Sequence, residues 1–157
     1  MKLNIKTLLA KICNKIIALT TQKSDIDTLT DKLNVPVNVV SNSISSSVSV
    51  KSSTYTQLGT VTLSAGTWLI FCRARFPSNA TGRRAIYLSN RPLSEGNPVS
   101  TAHSMMIRAV NGGTTMLSLA CAGTPSSSAT YYLIGWQNSG SALSVSSAGI
   151  ACYRIHP

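Results

Sequence analysis

Carboxylates, imidazoles and thiols do most enzymatic chemistry, and this chain is short of the first two. Of its 157 residues, 4 are Asp or Glu and 2 are His. Asp25, Asp27 and Asp31 fall together near the N-terminus, so Glu95 is the only acid beyond residue 34. Most glycoside hydrolases need two carboxylates flanking the scissile bond, and beyond residue 34 each subunit supplies Glu95 alone. His103 has serines available as partners, but there is no G-x-S-x-G turn and no acid placed to orient an imidazole. The chain is therefore expected not to be an enzyme. His103 and His156 are far apart, and Cys13, Cys72, Cys121 and Cys152 lack Cys-x-x-Cys spacing, so no metal or cofactor is expected. The last three cysteines keep phase with Ile70, Leu119 and Ile150 and read as buried reduced thiols, with a disulfide among them left open. Asn79-Ala80-Thr81 matches a glycosylation acceptor, but with Gly82 behind it the same residues read as a turn.

What remains for function is positive charge. Lys and Arg number 14, giving a formal net charge of +10, and beyond residue 34 Glu95 stands against Lys51, Arg73, Arg75, Arg83, Arg84, Arg91, Arg108 and Arg154. Such a surface attracts polyanions. Arg83, Arg84 and Arg91 lie beside predicted turns, where guanidinium groups bind phosphate or carboxylate. They are candidate ligand-binding residues, the alternative being solubility alone. Arg73 and Arg75 share a strand face with Leu69 and Phe71, which reads as a subunit interface. Trp136, after Tyr131, Tyr132 and Ile134, is either core or a sugar-stacking surface. Nucleic-acid binding would use the same charge, but no binding motif is present and aromatics make up 6%, so nucleic acid is not the expected partner.

The elements that must position these groups differ between the two parts of the chain. Ile5, Leu9, Ile12, Ile16 and Leu19, resuming at Ile26 and Leu33, trace a four-three apolar repeat, the pattern of a coiled coil over residues 1–33. Ile-rich cores favour trimers or tetramers, and a homotrimer is expected. Lys23 and Thr30 break the second core position, so the register is open after about Thr20. A basic amphipathic helix lying on a membrane or another protein is the alternative, given Lys6, Lys11 and Lys15. The same lysines interrupt any apolar core of a secretory signal. No run approaches the roughly 20 apolar residues of a membrane span, so membrane insertion is not expected. Pro36 should end the helix, and residues 34–53, rich in Ser, Val and Asn, read as a neck in which Ile44, Val48 and Val50 offer a first strand.

From residue 54 to 157 the period changes to two. Strands are expected at 57–63, 67–76 and 83–89, with turns at Ser64-Ala65-Gly66 and 79–82 and a long loop from Asn90 to Ala102. In the second strand Trp68, Ile70, Cys72, Ala74 and Phe76 face one way and Leu69, Phe71, Arg73 and Arg75 the other, both faces at least partly buried. Residues 104–110 and 114–121 flank Asn111-Gly112-Gly113 and read as a hairpin. Strands at 130–137 and 142–154, the latter broken at Gly149, complete a mainly β antiparallel sandwich or jelly roll.

The run GTVTLSAGTWLIFCRARFPSNATGRRAIYLSN, Gly59 to Asn90, resembles the trimeric heads of bacteriophage fibres and receptor-binding proteins, jelly rolls akin to the tumour necrosis factor and complement-type heads. Leu63, Gly66, Thr67 and Trp68 stand at the places of that family's Leu-x-x-Gly-Thr-aromatic turn, and Tyr153-Arg154-Ile155 is similar to its closing strand. The resemblance spans roughly residues 48–157. It implies a virion fibre protein, made in the host cytoplasm, whose trimeric head adheres to a bacterial surface polysaccharide or teichoic acid and whose N-terminus docks on other virion proteins. A decoration or assembly protein without host binding is the alternative. The chain is short for a whole fibre, which leaves tail tip, capsid fibre and accessory tip open.

Overall fold

The computed structural model describes residues 5–33, 38–95 and 102–156, and within these the side chains of 9–28, 38–95 and 102–155. The chain forms two compact units, Met1–Pro36 and Val37–Pro157. Pro36, residues 96–101 of the loop expected from Asn90 to Ala102, and the side chains of Ile5, Leu33 and His156 lie outside the described residues.

The first unit is one helix, α1, Ile5–Leu33. Neither Gly nor Pro interrupts its 29 residues, and it is about 43 Å long at 1.5 Å per residue. Lys23 and Asp27 form an exposed i,i+4 pair at 2.8 Å, worth a few tenths of a kcal/mol. Thr20, Thr21 and Thr28 turn their hydroxyls back onto the carbonyls of Ile16, Ile17 and Ser24. Of the predicted seam, Leu9, Ile12, Ile16, Leu19 and Ile26 are all exposed on the single chain, at 47–61%. No helix among the described residues is long and apolar enough to cross a membrane.

The second unit is mainly β. Its strands are β1 (Val39–Ser43), β2 (Val48–Val50), β3 (Thr56–Leu63), β4 (Thr67–Phe76), β5 (Arg83–Ser89), β6 (His103–Arg108), β7 (Thr115–Gly123), β8 (Ala129–Gln137), β9 (Leu143–Val145) and β10 (Ser147–His156). Two antiparallel four-stranded sheets run in the orders β1-β10-β4-β7 and β3-β8-β5-β6, with β2 and β9 as a short extra pair. This is a sandwich of antiparallel sheets, consistent with a jelly roll. The alternation in β4 is the clearest link from sequence to core. Trp68, Ile70, Cys72, Ala74 and Phe76 all face inward and are buried, meeting Leu58, Val61, Leu63, Ile86, Leu88 and Leu133 from the opposite sheet. Trp68 also ties the β3–β4 turn, its Nε1 donating to Ser64 O at 3.0 Å.

The turn into β5 is built as its residues suggest. Thr81 N donates to Asn79 Oδ1 at 2.8 Å, an Asx turn, and Gly82 follows at φ +78°. A Cβ there would stand 2.5 Å from Asn138 O, so only glycine fits. Gln137 closes the same end of the sandwich. Fully buried, it donates from Nε2 to Val50 O at 2.9 Å and Ser141 O at 2.7 Å, while Oε1 accepts from Ser139 N at 2.7 Å.

Four expectations are corrected. The predicted neck, 34–53, holds β1 and β2, and β1 pairs with β10 from Val39↔Tyr153 to Ser43↔Gly149. The head therefore takes in residues from Val39 onward, because Val40, Ile44, Val48 and Val50 keep one two-residue phase among the serines and pack on the core. The final strand breaks at Ser146 instead of Gly149. Gly149 lies inside β10, where a Cβ would meet Asn42 O at 2.9 Å, so its bareness lets β1 approach. The expected hairpin does not form: β6 pairs with β5 and β7 with β4. Gly112 does take a positive φ of +72°, but the turn carries the chain from one sheet to the other. Local turn chemistry sets a dihedral and leaves the choice of partner to packing. Finally, the second face of β4 is open on the single chain, with Leu69 39% and Phe71 45% exposed.

Candidate functional site

The β3-β8-β5-β6 sheet is covered by apolar groups on both faces. Along β5, Ile86 and Leu88 join the main core, whereas Ala85 and Tyr87 belong to a second cluster with Ile134, Tyr132, Trp136, Leu93 and Ala102. Tyr55 adds an edge-on ring against Tyr87, centroids 5.6 Å apart. Trp136 is half-buried in this outer cluster. It packs against Ala85, Tyr87 and Ile134 and keeps part of its surface in solvent.

Arg83 lies on the same outer face, and the register sets it directly opposite Arg108. One step along, Ala85 lies opposite Met106 on one side and Trp136 on the other. Both arginines are exposed. Like charges opposite one another across a ladder repel, and among the described residues the only ion pair is Lys23 with Asp27. An anion placed between the two guanidinium groups would relieve that repulsion, with Trp136 and Met106 beside it for an apolar sugar face. Arg108 was not a predicted site residue. The signal for it is the β5–β6 register, which the mistaken hairpin concealed.

Arg84 is corrected as a ligand-binding candidate. Alternation turns it inward, and it is 0% exposed. Its Nη1 donates to Thr81 O and Arg83 O at 3.0 Å each, and Nη2 to Asn79 O at 3.3 Å. Nε is buried with no acceptor. Burial lowers the guanidinium pKa, and the group serves to hold the 79–82 turn. Arg154 is likewise structural: Nη2 donates to Ala65 O at 2.6 Å, and its guanidinium carbon lies 5.9 Å from the Trp68 ring centroid. Arg91 is exposed beyond the other end of β5, its backbone N donating to Ser89 Oγ at 3.0 Å. About 20 Å or more of extended chain separates it from Arg83, so the three predicted arginines form no single cluster.

The outer face of the β1-β10-β4-β7 sheet differs in character. Leu69, Phe71, Met116, Tyr153 and Ile155 are all exposed there, and Phe71 meets Tyr153 edge-on at 5.8 Å. Ser41, Ser118, Ala120, Gly149 and Ala151 surround Phe71 in a shallow concavity of about 620 Å³. Arg73 and Arg75 extend this face, Arg75 Nε donating to Thr114 Oγ1 at 3.3 Å.

The thiols are all free. Burial pushes Cys72 up to about 12 and Cys152 up to about 11, and raises Cys121 as well, so at neutral pH they are protonated packing groups. No group of three or more His, Cys, Asp or Glu among the described residues is arranged to hold a metal.

No protein-family model matches the chain, and no curated protein matches it. Solved structures share its fold. The chain is similar to a subunit of the infectious bursal disease virus T13 particle, with TM-score 0.53, 10% identity, and coverage of 76% of this chain and 31% of that one. A similar match is the infectious bursal disease virus VP2 subviral particle, with TM-score 0.53, 11% identity, and coverage of 78% and 34%. The chain thus spans about a third of the length of these two. Eiger TNF from S. frugiperda matches with TM-score 0.48 and 11% identity over 76% of this chain and 93% of that one.

Proposed function

We propose that this chain is a homotrimeric virion fibre protein whose β head adheres to an anionic glycan of a bacterial surface. The observation that carries the adhesion is the Arg83–Arg108 pair, two exposed arginines opposite one another in the β5–β6 register with no ion-pair partner among the described residues, next to half-buried Trp136. Three copies are supported by two open apolar surfaces. One is the Leu9, Ile12, Ile16, Leu19 and Ile26 stripe of α1, which suits a trimeric coiled coil. The other is the Leu69, Phe71 and Tyr153 face with Arg73 and Arg75 at its edge, a second copy of the chain being its occupant. A virion setting is supported by the two virus-particle structures that share the fold, and the N-terminal residues would dock on other virion proteins.

Those same particle structures favour a second reading, a decoration or assembly protein of the particle without host binding. One experiment separates the two. The purified chain is sized by light scattering and then pulled down on bacterial envelopes with and without teichoic acid or lipopolysaccharide. A trimer retained by intact envelopes, and lost with Arg83→Ala plus Arg108→Ala, is the expected result. A stable monomer removes the trimer, and sedimentation with particles but no retention on envelopes selects the decoration reading.

A further inference from the structure

We infer that the head has a second ligand site, a polar cleft at the Arg91 end of β5 that takes a small anionic polyol group such as a polyol phosphate or a sugar acid. The cleft is about 560 Å³, within the usual range for small-molecule sites of about 300–1,000 Å³. Four elements meet there: the end of β5, the start of edge strand β6, the loop after β7 and the first half of β8. They supply Arg91, His103, Thr124, Ser126, Ser127 and Tyr131. This is the donor set for such a ligand: a cation for the anion, hydroxyls for the polyol, and an aromatic ring as a wall. No carboxylate lines the cleft among the described residues, so a cationic ligand would meet only like charge and an anion gains over a neutral polyol.

Tyr131 faces inward along β8, and its hydroxyl makes no hydrogen bond among the described residues. Burial first, with Cys121 and Cys152 adding, raises its pKa, so the phenol stays protonated and is a donor at neutral pH. The space it occupies is kept open by Gly123 on the facing strand, where a Cβ would stand 3.1 Å from the Tyr131 hydroxyl and 2.9 Å from Ile70 Cδ1. Arg91 enters no ion pair among the described residues. The cleft lies at the opposite end of β5 from Arg83, so one extended polymer would have to cross the sheet to occupy both sites.

The source of such a ligand rests on the adhesion reading, whereas the cleft is tested with small probes. Isothermal titration of the full chain with glycerol 3-phosphate, glucuronate and glycerol is the experiment. One of the two anions should bind at least tenfold more tightly than glycerol, and which one does so separates a phosphate polymer from a uronic-acid polymer. Arg91→Ala should weaken that binding about tenfold and Tyr131→Phe several-fold, both variants melting with the parent, while Lys51→Ala, exposed and outside both sites, changes nothing. Equal weak binding of all three probes, or full binding by Arg91→Ala, overturns the assignment. Probe binding without envelope retention keeps the cleft and removes adhesion; envelope retention without probe binding does the reverse.

Discussion

Replacing Arg84 tests whether an arginine that looks like a ligand group from sequence is a structural strut. In Arg84→Ala the carbonyls of Asn79, Thr81 and Arg83 lose their donors, and the buried stem leaves a void. Asn79 and Thr81 belong to a turn that water reaches, so their oxygens are partly resatisfied and the full cost of three charge-assisted bonds is not felt. Lost packing and the released turn together cost about 2–4 kcal/mol. For a domain of this size each kcal/mol moves the midpoint by roughly 3–6 °C, so the melting temperature should drop by about 6–24 °C. Arg84→Met separates the contributions. Burial lowers the Arg84 pKa, which means that the folded state disfavours the charged form and that carrying the charge costs stability at every pH below it. Methionine keeps most of the stem and removes the charge, so it should cost about half as much as alanine. Thermal melts followed by circular dichroism give both values, with exposed Arg83→Ala as the control, expected within about 0.5 kcal/mol of the parent. A parent-like melt for Arg84→Ala would refute the reasoning. So would a folded Arg84→Ala that fails to bind envelopes while Arg83→Ala plus Arg108→Ala still binds.

Cys72 and Cys152 titrate near 9.0 when unfolded and at about 12 and 11 when folded; stability should therefore hold below pH 9 and fall from there toward pH 11–12, with Cys72→Ala flattening the decline in a pH series of denaturant melts. Iodoacetamide on the native chain should label exposed Cys13 first, read by peptide mass spectrometry, with Cys72 and Cys152 reacting only on unfolding. Gly149→Val should drive a side chain into Asn42 O and loosen β1, costing about 1–3 kcal/mol, seen as faster amide exchange at Val39–Ser43. Ile16→Asp removes a seam contact from each copy, about 2 kcal/mol apiece, and should lower the trimer fraction in sedimentation equilibrium while the β unit stays folded by circular dichroism.

The sequence exposes what is local and hides what is long-range. The limits of β4 and β5 match the expected 67–76 and 83–89, because strict alternation and flanking turn residues are both written within ten residues of chain. The Asx turn at Asn79 and the positive φ at Gly82 are legible for the same reason. Strand pairing is another matter. Asn111-Gly112-Gly113 promises a reversal and delivers one, but β6 pairs with β5 and β7 with β4, in different sheets, and of the two only β7 sends side chains such as Leu117 into the core. That single misassignment accounts for the missed Arg108. It also explains why Arg84 looked available: adjacent arginines on a strand point to opposite faces, and which face is solvent depends on the second sheet.

Alternation also bears on how the positive charge is used. Of the arginines beyond residue 34, Arg84 is spent inside on backbone carbonyls and Arg154 on Ala65 O and the Trp68 ring. Arg73 and Arg75 share a face with exposed Leu69 and Phe71. Among the described residues, Arg83, Arg108 and Arg91 are exposed and make no side-chain hydrogen bond or ion pair through the guanidinium. The net charge of +10 is thus a poor guide to the binding surface, because a diffuse field would attract any polyanion through many weak contacts. Two arginines whose backbones are set opposite one another across a ladder confine their charge to one place, and local placement discriminates between anions by geometry where net charge cannot.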